Sequence, residues 1–140
     1  MTNYTPPASP NDEVSGYVYF ARLCSKIRLQ NSGNLNPEFL PNMGKGMDIW
    51  TCQFLHVDYE GIREIITSGA SDQEALEWCW ENGKHSTDYE LEWWNSFMRN
   101  RCFRDDLSEV LVGRKKESGW EDRDDIQTMF DYLDADDGRL

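Results

Sequence analysis

A chain of 140 residues with 39% hydrophobic content and eighteen aromatic side chains has enough material for one packed domain, which excludes wholesale disorder. Its formal net charge of −12 repels phosphate backbones and anionic surfaces, so neither nucleic acid nor membrane is an expected partner. No apolar run approaches a membrane span, and MTNYTPPASPNDE lacks the basic flank and apolar centre of a secretory signal, which leaves the cytoplasm as the expected compartment.

Pro6, Pro7 and Pro10 make residues 1–10 an expected flexible or extended arm. In EVSGYVYFARLCSKIRLQNSG, Val14, Val18, Ala21 and Cys24 share a helical stripe, and Gly33 marks its stop. Arg22, Lys26 and Arg28 make this the one locally basic element. NLNPEFLPNMGKG reads as a loop. Helices are then predicted from Gly46 to His56, burying some of Ile49, Cys52 and Leu55, and from Asp58 to Gly69, with Ile62, Ile65 and Ile66 inward. Ser71 with Glu74, and Thr87 with Glu90, have the spacing of capping boxes and open two more. A further helix starts at Asp105 or Asp106. The last carries Ile126, Met129, Phe130 and Leu133 at helical spacing.

No strand is predicted. The reading is an all-α fold, a compact orthogonal array of about six or seven short helices. Its organisation is an arm (1–10), a helical domain (11–118) and an acidic C-terminal segment (119–140) with one amphipathic helix. Residues 105–140 carry twelve acids against five bases.

Two helices carry more aromatic surface than one core-facing stripe holds. Trp78 and Trp80 stand about 200° apart on a helix, so a single core does not easily take both. Ala75, Leu76, Cys79 and Trp80 form the inward stripe and leave Trp78 outside it. On the next helix Leu91, Trp94, Met98 and Cys102 face inward, with Trp93 and Phe97 on the flank. Such flanks are either covered by neighbouring helices or form a patch for a protein or small ligand. Arg22 and Lys26 share one face and either pair with the chain's own acids or hold an anion. Ile126, Met129, Phe130 and Leu133 either dock on the domain or enter a partner's groove as a helix.

Catalytic signals are sparse: HExxH and GxSxG are absent, as are phosphate-binding glycine fingerprints. Cys52 and His56, four apart on one helix face, are a thiol–imidazole pairing to test against burial among Phe54, Leu55 and Val57. Lys45, between Gly44 and Gly46 before a helix, is a weaker anion-binding motif. Cys24, Cys52, Cys79 and Cys102 form no CxxC pair, so free thiols are expected, with no metal or cofactor.

Ser9-Pro10 ahead of GYVYFARLCSKIRL, then FLHVD (54–58), GASDQEALEW (69–78) and ELEWWN (90–95), resemble in order and spacing a bacterial family designated domain of unknown function 5069. The resemblance spans roughly residues 9–98 and leaves the acidic C-terminal third outside. It implies a compact helical fold and no particular activity. Family members tend to carry an acid where Ser25 stands and glycine where His56 stands. The expectation is therefore an interaction or ligand-binding module that uses Trp78, Trp93, Phe97, Arg22 and Lys26. The alternatives are an enzyme assembled around the basic cluster and the Cys52–His56 pair, or a homo-oligomer joined through the spare aromatics.

Overall fold

Ser15 and Gly16 both take positive φ, at 47° and 85°, which closes a two-residue turn. The turn pairs β1 (Glu13–Val14) with β2 (Tyr17–Val18), antiparallel, with Val14 opposite Tyr17 and Glu13 opposite Val18. The sequence reading ran a helix through these residues and placed no strand; the Ser-Gly turn overrides that stripe. Tyr19, at φ 71°, ends the hairpin and starts α1 (Phe20–Asn31). A computed structural model describes residues 4–140, and part of the expected arm, residues 1–3, lies outside them.

A short 3-10 helix covers Pro37–Asn42. The remaining elements are α2 (Met47–Leu55), α3 (Tyr59–Thr67), α4 (Asp72–Asn82), α5 (Asp88–Asn100), α6 (Ser108–Glu117) and α7 (Met129–Asp136). The fold is thus all-α apart from the small hairpin, with seven α-helices among the described residues. Both expected capping boxes form, on Ser71 and on Thr87. A third, Thr128 with Asp131, starts α7 and uses aspartate in place of glutamate.

α1 packs against α3 and α4, and α5 packs against β2 and α7. The main core gathers Val18, Phe20, Leu23, Ile27, Leu55, Ile62, Leu76 and Met98. Each such side chain contributes roughly 1.5–3 kcal/mol by leaving water, which holds helices too short to persist alone. A second cluster joins Cys102, Leu111, Ile126, Tyr132 and Ala135 beside it. None of the described helices is long and apolar enough to cross a membrane.

The arm and the tail are both packed onto this body. Pro7, Ser9 and Pro10 are buried, so residues 7–10 are not a free arm. The Ala8 N–H donates to Ser25 Oγ at 3.0 Å. Ser9 Oγ donates to Asp134 of α7 at 2.8 Å. Phe130 enters the main core and Ile126 the second, while Met129 and Leu133 are half-buried. The tail stripe therefore meets its own chain and is not presented as a helix for a partner's groove.

Candidate functional site

Thr87 caps α5 and sets its register. Tyr89, Trp93 and Phe97 follow at four-residue steps, so they advance only about 40° around the axis per step and form one stripe. Their exposures are 72%, 68% and 46%. The Tyr89 and Trp93 rings lie 6.5 Å apart. From Phe97 the aromatic contact turns inward: its ring is 6.1 Å from both Trp94 and Trp50. Trp94 stacks on Phe54 at 4.6 Å, nearly parallel at 4°. These four rings line an open groove of about 820 Å³, with Lys84, Glu90 and Asp106 also in its wall. Lys84 pairs with Glu90, and that hydrogen bond, more than the backbone N–H of Thr87, draws the Glu90 carboxyl down to about 2. Glu92 is exposed on the same helix.

Trp78 does not join this face. It is half-buried against α3, where a β-carbon on Gly61 would lie 2.5 Å from its ring. The glycine makes room for the indole, so the ring predicted to face a partner faces a neighbouring helix. Trp80, assigned to the inward stripe, is also half-buried; it stacks on His85 at 3.9 Å and donates from Nε1 to the Tyr17 hydroxyl at 3.2 Å.

Across Trp50, Arg101 and Leu107, which line both, lies a second cavity of about 760 Å³. Arg22 and Lys26 are in its wall, at 2% and 6% exposure. Neither is free. Arg22 donates to Asp137 at 2.7 Å and to the Ala8 carbonyl at 3.1 Å. Lys26 donates to Asp48 at 2.6 Å and to the Tyr19 hydroxyl at 3.1 Å. Tyr19 donates to the same Asp48 oxygen at 2.6 Å, and the Gly44 N–H donates to the other at 2.9 Å. Burial, then the Asp48 charge, pushes the Tyr19 hydroxyl well up, so it holds its proton. Burial draws Lys26 down, with Asp48 opposing. Of the two roles expected of them, Arg22 and Lys26 take the internal one: both hold the protein's own acids and are not free to hold a ligand.

The other cations in this wall are Lys45, Arg101 and Arg114. Arg101 lies over the Trp50 and Phe97 rings at 5.1 and 4.8 Å and pairs with Asp105 and Asp106. Its buried Nε has no partner among the described residues. Glu38, Glu117 and Asp136 supply the acids. Burial, then Asp137 and Glu38, raises the Asp136 carboxyl.

Cys52 and His56 do not form a reactive pair. The thiol is fully enclosed, and burial, followed by the charges of Asp48 and Asp58, pushes it up to about 12. His56 is exposed beyond the end of α2 and lines the aromatic groove instead. The four residues of the enzyme alternative therefore divide: Arg22 and Lys26 share one cavity, and Cys52 and His56 do not join them. All four cysteines are free and buried. No group of three or more potential metal ligands occurs among the described residues. Sequence reasoning missed Trp50, Phe54, Asp48, Arg101 and Arg114. Trp50 and Phe54 sit four apart on α2, and that spacing was the available signal; the others have no local one.

These features define a small helical protein with an aromatic groove beside a charged cavity. The model of the family described as Domain of unknown function (DUF5069) matches residues 4–139, and the chain belongs to that family. The match reaches well past the expected limit at residue 98 and takes in α6 and α7. Their place in the fold accounts for this, since Asp137 completes the Arg22 pair and Phe130 completes the core. No curated protein matches the chain.

Proposed function

We propose that this protein is an interaction module whose α5 stripe docks a partner protein segment with apolar anchors and basic flanks. The observation that carries the reading is the exposure of Tyr89, Trp93 and Phe97 in one line that runs into the groove of Trp50, Phe54 and Trp94. Large aromatic rings held in water on a packed helix are the residue types that dominate binding energy in protein interfaces. Glu92 beside the stripe and the chain's net charge of −12 favour a positively charged segment. A second copy of the chain would bring another charge of −12 against the first, which disfavours self-association here.

Peptide-library selection tests this, with counter-selection on the Trp93→Ala/Phe97→Ala double variant. The expected winners share apolar residues at spaced positions among lysines or arginines. They bind the double variant at least about tenfold more weakly, the scale of losing one anchor. Selection of acidic or sequence-unrelated peptides, or winners that bind both proteins equally, would overturn the reading.

A further inference from the structure

Five of the chain's 14 cationic side chains line the 760 Å³ cavity, against three of its 26 acids. In a protein this acidic, that lining is rich in cations, three of which are held by acids at or behind the wall. Arg22 and Lys26 are held by internal acids. Lys45 and Arg114 make no ion pair with any described residue. Arg101, nine-tenths buried, lines the same wall and is held by Asp105 and Asp106.

The remaining wall suits the rest of a ligand. Phe39, Trp50 and Tyr132 supply rings, and Met129 and Leu133 supply aliphatic surface. Gly46 and Met47, where α2 begins, also line the cavity, and no side chain caps that helix start. The volume is that of a pocket for a small organic molecule.

We infer that this cavity binds a small organic anion, with a carboxylate, phosphate or sulfonate group held by Lys45 and Arg114 and a flat ring body against Phe39, Trp50 and Tyr132. The site is separate from the α5 stripe, although Trp50 and Arg101 border both. Glu38, Glu117 and Asp136 in the wall select for a ligand with one anionic end and an uncharged body, because a second distant negative charge would face them.

The test uses 1-anilinonaphthalene-8-sulfonate, read by fluorescence and by calorimetry, on the full chain. N-phenyl-1-naphthylamine, the same ring body without the sulfonate, is the control. Three proteins are compared: the parent, Lys45→Ala/Arg114→Ala, and Trp93→Ala/Phe97→Ala. Circular dichroism checks that each is folded; the first variant removes only cations without ion-pair partners. The expected result is one sulfonate site, weakened at least about tenfold by loss of the two cations and retained in the aromatic variant. The neutral control should bind the parent and the cation variant alike. Sodium phosphate or benzoate, added as competitors, assigns the anion class. Equal sulfonate affinity in the parent and cation variants, or loss confined to the aromatic variant, overturns the inference. The second outcome would place the dye in the α5 groove and leave the docking proposal standing.

Discussion

Asp48 is fully buried and accepts from Tyr19, Lys26 and Gly44. Its replacement by alanine leaves Lys26 as an enclosed charge with only a phenol for company. The expected cost is about 3–5 kcal/mol in guanidinium denaturation. Asp48→Leu/Lys26→Met removes both charges, and should recover most of that loss because neither partner is stranded. Additive losses in the double variant would show that the pair was not the source. That Lys26 pairs with an acid was one of its two expected roles, but Asp48 as the partner was not legible, since 22 positions separate them and helical periodicity speaks only to neighbours on one face. Arg22 and Asp137 stand 115 apart and were equally hidden. His56 is a different case. The resemblance placed glycine there, and the backbone has φ 59°, a left-handed conformation in which glycine carries no β-carbon penalty. Trp93 and Phe97 were legible as flank residues because α5 packs on one side only. Trp78 takes the covered one of its two expected positions, and this was not legible because the space that receives it belongs to Gly61 on another helix.

At the scale of elements, boundaries were legible where capping chemistry is local. Ser71, Thr87 and Gly83 marked helix limits that the fold uses. Gly83, however, is not present to supply a left-handed turn: its φ is −132°. A β-carbon there would lie 2.1 Å from the Leu55 carbonyl oxygen and 2.7 Å from that of His56. The end of α4 thus rests directly on the end of α2. The Lys84 N–H also donates to the Leu55 carbonyl at 2.8 Å, which fixes the approach. Gly83→Ala is expected to cost on the order of 3 kcal/mol, read as a lowered denaturation midpoint, because two backbones must separate. A midpoint equal to the parent's would mean that the α2–α4 junction yields to a β-carbon without cost. The hairpin at 13–18 escaped notice because its strands are two residues each, too short to show alternation. Only the Ser15-Gly16 turn announced it.

At the scale of the molecule, the acidic segment 119–140 docks on its own chain, in two adjoining clusters bound by Phe130, Asp134 and Asp137. Thiol chemistry reports on this unity. Burial raises all four cysteines, Cys52 and Cys79 to about 12, so thiolate is scarce in the folded chain at neutral pH. An aromatic disulfide reagent is expected to label all four in step with global unfolding along a denaturant series. Earlier labelling of Cys102 alone would show the second cluster opening independently. The closure that joins the clusters also has a temporal meaning. Arg139 donates to the Pro7 carbonyl, and Arg22 waits for an acid 115 residues downstream. During translation the emerging N-terminal half therefore holds a guanidinium without its counterion and a core lacking Phe130. Until α7 has been synthesised and has folded back, the earlier helices lack these partners, so closure of the two clusters is a late step in folding.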